Sequence, residues 1–107
     1  MSKYKPWKYF EGEVARELKD LGFDAKRNWN TQFERKSGVD VIASRDDLKL
    51  LIQCKYGKKP NLRRAYLEAV LERGKKWNET PVAICRFSED RDTLVVLCWR
   101  DFKKLLE

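Results

Sequence analysis

Between Val39 and Phe87 the chain carries a strand pair, a break, a helix and another strand, in that order. Val39 to Ser44 is short and rich in β-branched residues, Arg45-Asp46-Asp47 reads as a turn, and Leu48 to Tyr56 reads as a second strand. Gly57 to Pro60 breaks the chain, Asn61 is a helix cap, and a helical pattern runs to about Trp77. Pro81 to Phe87 is again apolar. Strands joined by so short a turn pair antiparallel, whereas strands 48–56 and 81–87, linked through a helix, pair parallel with a right-handed crossover. That order predicts a mixed sheet with helices packed on it.

The flanks extend the same plan. Pro6 fits a first helical turn, and Trp7, Phe10, Val14, Leu18 and Leu21 recur at helical spacing before Gly22 stops the helix. Phe23 to Arg27 reads as a short strand and residues 28–38 as a loop. Ser88 to Asp92 is a polar turn, Thr93 to Trp99 a strand, and Asp101 to Glu107 a closing helix. The 107 residues make one α/β domain, with residues 1–9 as a basic N-terminal arm.

No His is present, which excludes His-based triads, HExxH zinc sites and His general bases. The three Cys (Cys54, Cys85, Cys98) lack paired spacing, which argues for free thiols in a reducing compartment rather than a disulfide framework or zinc site. No run approaches the roughly 20 apolar residues of a membrane span. The first ten residues lack the apolar stretch of a signal peptide, so an intracellular, cytoplasmic location is expected. The formal net charge is +7, and the excess is segmented. Residues 1–10 and 26–37 are basic, residues 11–25 are acidic, and residues 53–66 hold five basic side chains and no acid. Basic segments around an acidic stretch suggest a polyanion-binding face with carboxylates inside it.

With Asp46-Asp47 as the two loop residues of the hairpin, Asp40 falls opposite Gln53, and Lys55 shares their face. Cys54 points the other way, with Leu50 and Ile52, into the core. On the first helix, Glu11 falls inside the apolar stripe, where a carboxylate is costly without a partner such as a metal or a lysine. Glu13 and Glu17 read as solvated acids. Asp40, Glu11 and Lys55 then form either a partly buried ion-pair network or a divalent-cation site. Two carboxylates with amide or backbone oxygens suit Mg²⁺, and a neighbouring lysine suits an attacking water or charge developing on phosphorus.

Phe10-Glu11 on a helix ending Leu21-Gly22-Phe23, then Gly38-Val39-Asp40-Val41-Ile42-Ala43, then Ile52-Gln53-Cys54-Lys55, resembles the PD-(D/E)XK nuclease superfamily. Two branches are similar: the archaeal-type and phage Holliday-junction resolvases, and the Mrr-like restriction endonucleases. The resemblance implies a restriction-endonuclease-like fold and a Mg²⁺-dependent endodeoxyribonuclease, with Mn²⁺ able to substitute. It assigns Glu11, Asp40, Gln53 and Lys55 to catalysis. Asp40, Glu11, Gln53 and the backbone carbonyl of Cys54 would hold the metal. Gln53 stands where the resolvase pattern has an acid, a departure shared with the Mrr-like branch.

The chain's length leaves no room for the separate recognition domain that Mrr-like enzymes generally carry. The expected function is therefore a Holliday-junction resolvase acting as a homodimer on branched DNA, with a phage source among the branch's implications. The alternatives are an Mrr-like endonuclease of duplex DNA and a catalytically silent nucleic-acid-binding module. Lys3, Lys5, Lys8, Arg27, Arg35, Lys36, Lys58, Lys59, Arg63 and Arg64 are the expected phosphate contacts. Trp29 and Phe33 either wedge into a junction or pack on their own domain. Leu67 and Leu71 either meet a second subunit or pack under a neighbouring segment.

Overall fold

A computed structural model describes residues 6–27, 39–72, 78–89 and 92–107. The elements run α1 (Pro6–Asp20), β1 (Asp24–Arg27), β2 (Val41–Arg45), β3 (Leu48–Gly57), α2 (Leu62–Leu71), β4 (Glu79–Phe87), β5 (Thr93–Val96) and α3 (Trp99–Leu106). The five strands form one sheet in sequence order. β3 and β4 are parallel and the other pairs antiparallel. This is the mixed α/β sheet expected from the sequence.

Two helix ends show their local cause. α1 closes with the N–H of Gly22 donating to Lys19 and that of Phe23 to Leu18, at 2.9 and 3.0 Å. That pair of hydrogen bonds needs a left-handed residue, and Gly22 provides it with φ +91°. α2 is capped by Asn61, whose side chain accepts from the N–H of Arg64 at 3.0 Å.

Strand alternation sends the two faces of the sheet to different helices. Val41 and Ala43 of β2, with Ile52 and Cys54 of β3, pack against Phe10, Val14 and Ala15 of α1. On the other face, Ala65 of α2 packs with Ala83 and Cys85, and Ala69 with Leu51 and Val39. The two alanines are fully buried, so α2 lies close to the sheet.

The hairpin register is the one that an Asp46-Asp47 loop requires, from Val41 opposite Ile52 to Arg45 opposite Leu48. Asp46 takes φ 53°, a left-handed turn conformation that Asp tolerates.

Several boundaries differ from those expected from the sequence. β2 begins at Val41, so Asp40 stands in a bend just outside the ladder rather than in a pair with Gln53. β4 begins at Glu79 and runs through Pro81. β5 reaches β4 only from Ala83 onward, so at Pro81 the outer side of β4 is an open edge where a missing N–H costs no ladder bond. β5 ends at Val96, and Trp99 and Arg100 belong to α3. α1 begins at Pro6, as the fit of Pro6 to a first helical turn predicts, so residues 6–9 of the expected basic arm are helical. The stripe on α1 is also shorter than its spacing suggests, since Trp7 and Leu21 at its ends are exposed. The stretch 73–77, expected to continue α2, lies outside the described residues, as does the loop 28–38 with Trp29 and Phe33.

Candidate active site

The site forms where β2 starts and β3 runs on beyond it. The N–H of Asp40 donates to the carbonyl of Ile52 at 2.9 Å. Its Oδ2 accepts from the N–H of Cys54 at 2.8 Å. The carboxylate thereby satisfies a backbone donor of β3 and is pinned against that strand. Cys54 offers the site only its backbone, because its thiol is buried in the core beneath α1. Burial, with the negative charges of Asp40 and Glu11 adding to it, pushes that thiol far up and keeps it protonated.

Helices bring carboxylates to Asp40 from both faces of the sheet. Glu11 arrives on α1 and pairs with Arg27 of β1 at 3.0 Å. The partner that its buried position demanded is thus an arginine, not a lysine. Arg27, expected as a phosphate contact on the rim, turns its guanidinium toward Glu11. Glu68 arrives on α2, pairs with Lys55 at 3.1 Å and accepts from Nε2 of Gln53 at 3.0 Å. The sequence reading omitted Glu68. Its one visible signal was Arg64 four residues earlier, a spacing that reads as an ordinary surface pair, and the structure does place Arg64 Nε 3.4 Å from it. Glu13, read as a free surface acid, accepts from Arg86 of β4 at 2.6 Å. Arg86 also stacks 4.8 Å from the Phe10 ring centroid, so this pair fastens α1 to the sheet.

Asp40 registers the result. Burial pushes its carboxyl up from 3.8 to about 6, and Glu11 and Glu68 push the same way; the Cys54 N–H and the Lys55 ammonium only partly oppose them. Burial and the neighbouring carboxylates together disfavour the Asp40 charge, and a divalent cation bound there would offset both. Among the described residues no three Asp, Glu or Cys side chains converge as a ready-made cage. Mg²⁺ needs none, because it binds through one or two carboxylates and keeps several waters. The donor set therefore fits a partly hydrated hard cation at Asp40.

One consequence concerns stability. With its pKa raised on folding, Asp40 retains a proton in the native state between about pH 4 and pH 6 that the unfolded chain has lost. Metal-free stability should therefore fall as pH rises through that window, by roughly 1–2 kcal/mol after allowance for partial exposure. Asp40→Asn should melt several degrees above the parent at pH 7.5 and match it near pH 4. Thermal unfolding in chelator at the two pH values checks this. Equal melting temperatures at pH 7.5 would show that the carboxylate carries no such penalty.

Of the expected phosphate contacts, Lys58 and Lys59 are exposed directly after β3, and Arg63 and Arg64 are exposed on the first turn of α2. Lys8 lies on α1, with its ammonium 5.4 Å from the Trp7 ring centroid. Lys3, Lys5, Arg35 and Lys36 lie outside the described residues. No helix among the described residues is long and apolar enough to cross a membrane.

The fold is similar to that of Hjc from Archaeoglobus fulgidus, a Holliday junction resolvase from an archaeal hyperthermophile. The TM-score is 0.64 at 16% identity, over 83% of this chain and 73% of that one. No curated protein matches the sequence. A family model described as a restriction endonuclease, of the Mrr catalytic type, matches residues 3–80. That span holds Glu11, Asp40, Gln53, Lys55 and Glu68, and it covers well over half of the chain; the protein thus belongs to the Mrr-type restriction endonuclease family.

Proposed function

We propose that this chain is a divalent-cation-dependent endonuclease that hydrolyses phosphodiesters in branched DNA, resolving four-way junctions as a homodimer. The observation that carries the catalytic part is Asp40. Its carboxylate is pinned to the Cys54 backbone and held at about 6 by burial and by Glu11 and Glu68, beside one lysine. Bound Mg²⁺, or Mn²⁺ in its place, would supply Lewis-acid polarisation of the phosphate and a more acidic water. Asp40 holds the cation, with Glu11 and Gln53 and the Cys54 carbonyl as the further oxygen donors. The Lys55 ammonium stabilises charge developing on the phosphate and orients the attacking water.

Substrate choice rests on other residues. Lys58, Lys59, Arg63 and Arg64 follow Lys55 within one break and one helical turn, so DNA phosphates gripped there lie beside the site. Phosphate contacts position DNA without reading its sequence, so selectivity has to come from DNA geometry and from the spacing of two active sites. Exposed apolar side chains suit a two-fold dimer: Leu67 and Leu71 on α2, and Trp99, Phe102 and Leu106 along one side of α3. The resolvase named above shares this fold. An intracellular, cytoplasmic site of action suits a DNA substrate and free thiols.

The family match favours a second reading, an endonuclease of duplex DNA, and one assay separates the two. Cleavage in Mg²⁺ of a four-way junction should exceed that of linear duplex of the same sequence by at least about tenfold, with paired nicks in opposing strands. Junction binding should show the steeper salt dependence, because more phosphates meet the basic face. Sedimentation should give a dimer. A monomer that cuts both substrates at equal rates would remove the resolvase reading and leave the duplex endonuclease.

A further inference from the structure

Position 53 of β3 holds a neutral amide beside Asp40 and Lys55, so β3 gives the site a lysine and no carboxylate. The missing charge arrives from α2. Gln53 Nε2 and Lys55 Nζ both meet the same Glu68 oxygen, Oε2, at 3.0 and 3.1 Å. A carboxylate only accepts, so this contact fixes which end of the Gln53 amide faces α2.

Nothing about an exposed helical ion pair requires such placement. Ala65 and Ala69, one turn apart and fully buried against the sheet, hold α2 close enough for the side chain between them to reach β3. The Asn61 cap fixes where the helix begins. Glu68 is about one-third exposed, which leaves its carboxylate open to solvent and to a cation.

We infer that Glu68 is a carboxylate of the cation site additional to Asp40 and Glu11, supplied from α2 in place of an acid at position 53, with Gln53 as the residue that positions it. The inference rests on the cation-dependent reading given above and adds a residue to it. Gln53 orients Glu68 through its amide nitrogen. Lys55 is the counter-charge of Glu68 in the protein alone, and shares that carboxylate when a cation is held.

The test is relocation of the charge. Mg²⁺ is titrated calorimetrically into the parent, Glu68→Gln, Asp40→Asn and the double variant Gln53→Glu/Glu68→Gln, without DNA and with circular dichroism as the check on folding. Glu68→Gln should weaken Mg²⁺ binding by about tenfold or more while remaining folded, and the double variant should recover to within about threefold of the parent. Cleavage rates at saturating Mg²⁺ should follow the same order. If Glu68→Gln binds Mg²⁺ like the parent while Asp40→Asn does not, Glu68 is only a partner of Lys55 and the inference falls while the cation site stands. A folded Glu68→Gln with weakened binding that Gln53→Glu does not recover also overturns it. A parent that binds no Mg²⁺ in millimolar solution overturns the cation reading itself.

Discussion

Asp40→Asn should abolish strand cleavage, by roughly three powers of ten or more, and leave DNA affinity nearly unchanged. The substitution removes one negative charge and almost no volume, and an Asn oxygen can still accept the Cys54 N–H that holds Asp40 in place. The local backbone should therefore keep its course. The cation loses its main anionic ligand, and with it several kcal/mol of transition-state stabilisation. DNA binding should survive because the proposed phosphate contacts, Lys58, Lys59, Arg63 and Arg64, are left in place. Single-turnover cleavage and an electrophoretic binding assay on the same preparations check both halves. An Asp40→Asn protein that cuts at the parental rate in Mg²⁺ would take Asp40 out of the chemistry. The melting-temperature gain expected at pH 7.5 separates this loss from unfolding.

Lys55→Ala should lower the cleavage rate about 10²- to 10³-fold, the usual cost of removing one preorganised group that meets charge developing in the transition state. Its signature differs from that of Asp40→Asn. Lys55 is a cation paired with Glu68, so its removal leaves the carboxylates more negative, and Mg²⁺ affinity should stay level or rise. A lysine acting only as a structural counter-ion would give a different pattern, with cleavage at saturating Mg²⁺ near the parental rate and a lower melting temperature. Rates measured across a Mg²⁺ series therefore decide between the two roles.

The parts legible in the sequence were those fixed by local chemistry. Gly22 marked the end of α1 because the bonds closing that helix need a left-handed residue. Asp46-Asp47 set the register of β2 on β3, and that register put Gln53 and Lys55 on one face and Cys54 on the other. The parts that stayed hidden depend on where distant segments meet. Glu68 shows only Arg64 at helical spacing along the chain, and its reach to Gln53 and Lys55 exists because two alanines let α2 approach the sheet. Arg27 looked like a rim cation because nothing nearby in sequence marks Glu11, sixteen residues earlier, as its partner. Glu13 looked solvated for the same reason, with Arg86 on a strand 73 residues away. Pro81 marked a false strand start because the rule against proline inside a sheet applies to strands with neighbours on both sides, and β5 stops short of it.

In the mechanism proposed above, Asp40 and its neighbouring carboxylates hold a divalent cation that DNA hydrolysis requires. The most direct test is cleavage of an end-labelled four-way junction by the parent protein in Mg²⁺, in excess chelator, and in chelator followed by surplus Mg²⁺, with Asp40→Asn run alongside. The account predicts cutting in Mg²⁺, none in chelator, recovery when Mg²⁺ is restored, and no cutting by Asp40→Asn under any condition. Cleavage that persists in chelator, or an Asp40→Asn protein as active as the parent, would contradict it.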